Sequence, residues 1–431
     1  MTWGLLATLY FGVMLVLLLG GVWIAVSLGA AGVFGLWLVK PALLGGLESV
    51  VWNTVNSFVL TAVPLFLFMG AVILHSGISV RFYRSLSLWL NRVPGGLAQA
   101  NIAACSIFSA LCGSSVATAA AVGSIAIPEM KKRGYGIRPT TGTLAAGGTL
   151  GILIPPSIPF IIYGSTVGES VGKLFIAGIV PGFLMAGIFM VFLAIQARFI
   201  PEQLPSTSER VPWGLRLRAL GDLIPVVALI ALVMGGIYAG VMTPTEAAGV
   251  GAAGAMAVAA LYGGLSLDVL RRSLLDAVRT NAMILFIVVG AQIISFALVS
   301  AGIPRAIVAG INALGAAPYV ILLLVVIMYL VLGCLVDALS LMLLTLPVVH
   351  PIMMAAGFDP VWFGVILVIL LEIGLVTPPV GMNLFVIQGM AETSLGEVAR
   401  GSLPYVLLLL AGVGMLTAFP GIALWLPQQL Y

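Results

Sequence analysis

The sequence predicts an all-α polytopic membrane protein built from two inverted repeats. Three observations carry that prediction. Of 431 residues, 61% are apolar and only 7% are charged. The apolar runs last about 20 residues, the length of a spanning helix. Four groups of motifs recur about 220 positions apart.

The composition excludes whole classes. A soluble domain carries roughly 25% charged residues, so a soluble enzyme, a nucleic-acid binder and a disordered scaffold are ruled out. A β-barrel would alternate polar and apolar residues in segments of about ten. The mean hydropathy of +1.23 agrees with a membrane chain. The net charge of +4 then reports loop charge and orientation, not a nucleic-acid partner.

In chain order, ten crossings are expected, at 4–20, 22–39, 53–76, 142–163, 175–199, 222–241, 244–263, 281–301, 361–388 and 403–426. The amino-terminal stretch lacks a basic region and a small-residue cleavage pattern, so it reads as a retained first span. Residues 1–200 form the first repeat, 201–221 a polar cytoplasmic linker, and 222–431 the second repeat. Threading from an outside amino terminus puts 15 of 18 Lys and Arg in inside loops, Arg210 and Arg279 among them. Only Lys40, Lys173 and Arg305 fall outside. Both termini are therefore expected on the outside. Segments 81–93 and 304–315 read as interfacial helices, the first basic on one face and apolar on the other.

Gly70 and Gly290, and Gly113 and Gly333, stand 220 positions apart; Pro128 and Pro347 stand 219 apart, Pro155 and Pro378 223 apart. Five crossings in each half invert the second half. Inverted repeats are a transporter signature, with the site at the repeat interface near mid-membrane.

Two apolar stretches, about 95–128 and 318–356, read as re-entrant hairpins from the inside and the outside. The first has Gly113, Ser114, Ser115 and Thr118 at its tip. Glycine permits the turn, and hydroxyls with freed carbonyls suit a hard cation. The bland alternative is close packing of small residues. The second tip spans Gly333 to Ser340 and contains Asp337, a cation ligand or a protonatable group. A central charge costs about 2.5–3.5 kcal/mol on insertion scales.

Two spans contain double prolines, Ile154-Pro155-Pro156-Ser157 and Thr377-Pro378-Pro379-Val380-Gly381-Met382-Asn383. A double proline removes two donors and breaks the helix. The exposed half-helix ends can hold ions and carboxylates. The glycine-rich run 145–151 permits another backbone to approach. Glu372, five residues before the second break, either serves a ligand or orders the unwound backbone. Glu129 beside Lys131 reads as interfacial, Glu246 as a cap, and His75 and His350 as structural. Cys105, Cys112 and Cys334 fit neither a zinc site nor a disulfide framework.

The runs 113–135, 147–164, 241–252 (VMTPTEAAGVGA) and 372–389 (EIGLVTPPVGMNLFVIQG) together resemble the large membrane subunit of TRAP transporters, the tripartite ATP-independent periplasmic transporters of the ion-transporter superfamily. The resemblance implies an elevator-type secondary transporter. It implies Na⁺ coupling, an organic-acid substrate delivered by a periplasmic binding protein, and a small membrane subunit of about four spans on a separate chain. Carried onto this sequence, one Na⁺ site joins Gly113, Ser114, Ser115 and Thr118 to Ile154, Pro155, Pro156 and Ser157. The other joins Gly333, Asp337 and Ser340 to Thr377, Pro378, Pro379, Gly381 and Asn383. Substrate contacts fall to Ser114, Ser115, Ser157, Thr377 and Asn383. The second tip has Leu335-Val336-Asp337 where the first has a Ser-Ser pair. Neither tip contains Lys or Arg, so bound Na⁺ and helix amino termini must supply the positive field for an anion. A self-sufficient Na⁺/dicarboxylate symporter of the same superfamily is the alternative. No catalytic motif and no ATP-binding motif is present.

Overall fold

The computed structural model describes residues 3–205, 211–313 and 315–430. Arg210, assigned above to the linker, lies outside them. Among the described residues all regular structure is helical.

The first half contains α1 (Trp3–Leu19), α2 (Ile24–Val39), α3 (Leu47–Val55), α4 (Ala62–His75), α5 (Ile78–Leu90), α6 (Leu97–Cys112), α7 (Ser115–Lys132), α8 (Ile137–Thr149), α9 (Ile158–Val167) and α10 (Val171–Phe199). The second contains α11 (Trp213–Tyr238), α12 (Pro244–Leu261), α13 (Leu267–Ser300), α14 (Ile303–Ala313), α15 (Pro318–Gly333), α16 (Ala338–Ala355), α17 (Pro360–Leu375), α18 (Met382–Ala391), α19 (Leu395–Ala418) and α20 (Gly421–Leu430).

Among the described residues, five single helices are long and apolar enough to cross a bilayer: α10, α11, α13, α16 and α19. A sixth span is the pair from Pro41 to His75, bent by 47° between α3 and α4. The remaining expected crossings are shorter helices, pairs of helices or, at 244–263, the 18-residue, alanine- and glycine-rich α12. At 1.5 Å per residue, the 16 residues of α2 reach about 24 Å, under the roughly 30 Å of a hydrocarbon core. Conversely, α16 has 18 residues, within the roughly 17–25 that span a bilayer, and is apolar enough to cross.

Two boundaries depart from the sequence reading. The span expected at 281–301 begins at Leu267, where the Ser266 hydroxyl accepts from the Val269 amide at 3.2 Å. The charges at Asp268, Arg271, Arg272, Asp276 and Arg279 conceal this helix from a hydropathy reading, but they lie along an amphipathic extension. The linker 201–221 is likewise helical from Trp213, with Arg216 buried and bonded to Asn91 Oδ1 at 3.1 Å. Glu246 caps α12 in a reciprocal box with Thr243.

The helices pack as two groups. Helices α1–α4 and α11–α13 form one, and α6–α10 with α15–α19 form the other. Helices α5 and α14 touch both groups. Small residues let the first group close up: a β-carbon on Gly290 would stand 2.3 Å from the Ala25 carbonyl oxygen. Within the second, a β-carbon on Gly142 would stand 2.2 Å from the Gly401 carbonyl oxygen. The buried side of α5 enters the second group through Tyr83, whose hydroxyl donates to Asn101 Oδ1 at 2.7 Å.

Long-range polar pairs join chain segments that the threading assigns to one side. Lys40 Nζ donates to the Ser300 carbonyl at 2.6 Å, and the Tyr163 hydroxyl to the Pro360 carbonyl at 2.7 Å. On the other side, His75 meets Asp276 at 2.7 Å, and Lys131 Nζ donates to the Ala391 carbonyl at 2.7 Å.

Candidate functional site

The first tip is a two-residue turn between α6 and α7. Gly113 takes φ +58° and ends α6, its amide donating to the Ser109 carbonyl at 3.0 Å. The left-handed conformation there is why glycine is required. Ser114 is extended and caps α7.

The first break lies against that tip. After α8 a short 3₁₀ turn runs over Leu150–Ile152, and the chain stays irregular until Ser157 starts α9. The Pro155–Pro156 bond is cis. A β-carbon on Gly113 would stand 3.3 Å from the Pro156 carbonyl oxygen, and one on Gly151 3.0 Å from the Ser114 carbonyl oxygen. Ser115 Oγ donates to the Thr149 carbonyl at 3.3 Å, and Ser157 Oγ to the Ile152 carbonyl. The fully buried Thr118 hydroxyl lies within hydrogen-bonding reach of the Cys112 thiol and has no oxygen or nitrogen partner among the described residues. It points at Gly151, where a β-carbon would stand 3.0 Å away. Glycine at 148 and 151 therefore provides the close backbone approach, and α7 is what approaches.

The second tip and second break meet in the same manner. Val380 N–H donates to the Cys334 carbonyl at 3.0 Å. Gly333 and Gly374 are in backbone contact. Asp337 caps α16, its Oδ1 accepting from the Ser340 amide at 3.0 Å. Ser340 is fully buried and its hydroxyl has no partner among the described residues. Thr377 Oγ1 donates back to the Ile373 carbonyl at 2.6 Å. The Pro378–Pro379 bond is also cis, and Gly381 takes φ +44°.

Asn383 links the two junctions. Its Nδ2 donates to the Ala145 carbonyl at 3.1 Å, while Oδ1 is buried and unpartnered among the described residues. Glu372, one turn before the second break, is fully buried, and neither carboxylate oxygen has a partner among the described residues. The oxygens of Thr118, Ser340, Glu372 and Asn383 thus sit on or beside the four irregular segments. Unsatisfied buried oxygens are costly unless something pairs with them, and a hard cation takes oxygen ligands. These residues fit Na⁺ by donor type.

Two features escaped the sequence reading. Ser109 Oγ donates to the carbonyls of Leu150 at 2.5 Å and Ile154 at 3.1 Å, tying α6 to the first break. No local pattern marks it, because its partners lie 41 and 45 residues away. The second is a cleft of about 1090 Å³ between the second tip and the α1–α2 turn. Asp337 and Ser340 line one wall, Arg279 and Trp23 the other. Ser114, Ser115, Ser157, Thr377 and Asn383 do not line it. Ser115, Ser157 and Asn383 are buried in this conformation.

Comparison with known proteins gives this arrangement its family. Residues 11–422 match the family described as the tripartite ATP-independent periplasmic transporter, DctM component. The chain is 38% identical over 407 residues to the C4-dicarboxylate TRAP transporter large permease protein DctM of Pseudomonas aeruginosa, covering 94% of each chain. It is 33% identical over 403 residues to the 2,3-diketo-L-gulonate TRAP transporter large permease protein YiaN of Escherichia coli, covering 91% of this chain and 93% of that one. Its fold resembles the crystal structure of the Alcanivorax borkumensis YdaH transporter, with TM-score 0.63, 17% identity and 90% of each chain covered. The relatives are named as permeases, not enzymes. The chain belongs to the DctM-component family of tripartite ATP-independent periplasmic transporters, and it is a multi-pass membrane protein of that family.

Proposed function

We propose that this chain is the large transport subunit of a Na⁺-coupled importer of organic acids in the bacterial inner membrane. A small membrane subunit of about four spans and a periplasmic binding protein complete the system. The binding protein delivers a carboxylate. The group containing both tips and both breaks carries it across by an elevator movement against the group containing α1–α4 and α11–α13.

The observation that carries this reading is the pair of tip–break junctions with unpartnered buried oxygens around them. Each junction offers carbonyls freed by a helix break, beside Thr118 at the first and Ser340 at the second. Na⁺ at the two junctions offsets the charge of a carboxylate held between them, in a region whose tips contain no basic side chain. Asn383, bonded to α8 and donating from the second break, couples the two junctions. Helices α5 and α14 touch both groups and suit a hinge between them. The bias of basic residues toward one side supports a cytoplasmic linker and periplasmic termini.

The test is uptake by proteoliposomes that contain this chain and its small subunit, with a panel of dicarboxylates and sugar acids. Uptake is expected to need both Na⁺ and the cognate binding protein. Uptake that persists in Na⁺-free buffer defeats the coupling. Na⁺-driven uptake without the binding protein assigns a self-sufficient symporter.

A further inference from the structure

We propose that the cleft beside the second tip contains an anion-docking point on its α13 wall, made by Arg279 and the amino-terminal turn of α2. Its ligand is the carboxylate of the organic acid on its way out of the transporter. The inference rests on the transport reading above.

Three independent features converge on this cleft. First, Arg279 is exposed and makes no ion pair among the described residues. The acidic side chains near it on α13 are engaged elsewhere: Asp268 holds Arg272 at 2.6 Å and Asp276 holds His75 at 2.7 Å. Arg279 is left facing the cleft.

Second, α2 starts there without a side-chain cap. Trp23, Ile24 and Ala25 line the cleft. Uncapped first-turn amides carry the positive end of a 16-residue helix, and a carboxylate is a natural partner for them.

Third, the opposite wall contributes the fully buried, unpartnered hydroxyl of Ser340. It can donate to an anion that has just left the second junction. Asp337 stands on that same wall. Its charge repels a carboxylate from the tip, toward Arg279. The two walls therefore differ in sign, and the difference directs the anion from the moving group to the other. The rest of the lining is mostly apolar.

The threading puts Arg279 and the α1–α2 turn on the cytoplasmic side. The docking point then acts on release, not on capture, and that distinction is measurable.

The experiment follows Trp23 emission in the full chain, held in nanodiscs of neutral phosphatidylcholine and titrated with succinate. The difference between wild type and Trp23→Phe isolates the Trp23 signal. A saturable change is expected. Arg279→Gln should raise half-saturation at least about tenfold, because it removes a charge-assisted hydrogen bond. Arg279→Lys keeps the charge and should retain most of the response. In proteoliposomes, Arg279→Gln should raise the apparent KM for succinate on the cytoplasmic side and leave the periplasmic KM unchanged. An unchanged titration in Arg279→Gln overturns the proposal. So does a signal that succinate fails to produce and phosphatidylglycerol does, because the site then belongs to a lipid headgroup. If the Trp23 titration behaves as expected while Na⁺-dependent uptake fails, the docking point stands and the coupling reading falls.

Discussion

Gly374 lies directly on Gly333: a β-carbon at Gly374 would stand 2.7 Å from the Gly333 carbonyl oxygen and 2.8 Å from its Cα. The arm of the second hairpin and the helix before the second break are therefore in backbone contact. Neither side can yield without moving a helix. Gly374→Ala is expected to destabilise the protein by about 1–3 kcal/mol, as overpacking does, and to abolish transport. Gly389→Ala is the control, since nothing lies within 4 Å of a β-carbon there. Thermal unfolding of both variants in detergent checks the difference.

Thr118 tests the first junction. Its buried hydroxyl has no oxygen or nitrogen partner among the described residues and faces the Cys112 thiol and Gly151. Thr118→Val keeps the shape and removes the oxygen. The half-saturating Na⁺ concentration for uptake should rise at least about tenfold, equivalent to about 1.4 kcal/mol. Thr118→Ser should restore it to near wild type. A Na⁺ dependence unchanged in Thr118→Val would remove this residue from the ion site.

The Glu372 carboxylate has neither a partner among the described residues nor access to solvent. A lone buried charge is strongly disfavoured. The amide isostere Glu372→Gln has no hydrogen bond to lose and should fold as wild type, with transport within about twofold of it where the carboxylate takes no part in coupling. A well-folded Glu372→Gln protein that cannot transport would instead give the carboxylate a part in coupling. Size-exclusion profiles and uptake rates separate the two results.

Arg138 grips Glu397 through two bonds of 2.7 and 3.1 Å, joining the first turns of α8 and α19. The pair is half exposed on the arginine side. Water and salt screen such a pair, so Glu397→Gln should lower stability only slightly despite the good geometry. The loss should shrink further in high salt. Melting temperatures measured in low and high salt would show it. Gly142 and Gly401, packed in contact one turn along the same helices, matter more. Gly142→Ala should destabilise well beyond the loss of the ion pair, since the nearest atom is backbone.

The sequence by itself determined the solvent, the element type and the punctuation. Apolar runs with few charges require a bilayer, and a bilayer requires backbone bonds closed within each segment, hence helices. Gly113 and the two double prolines marked where helices end, because φ above zero and missing donors are properties of single residues. Charge obscured the starts of α11 and α13, since an amphipathic extension reads as loop when hydropathy alone is used.

Tertiary structure alone decided what meets what. Ser109 bonds a backbone 41 residues away. Asn383 reaches Ala145, 238 residues away. Arg279 shares a cleft with Asp337 and the start of α2. Such pairings leave no periodic trace, because each depends on how two separately closed helices pack. In a membrane every helix satisfies its own backbone, so packing and a few side-chain bonds are left to choose the partner. That choice is made by the small residues that let one backbone touch another, and it is visible only after the chain has folded.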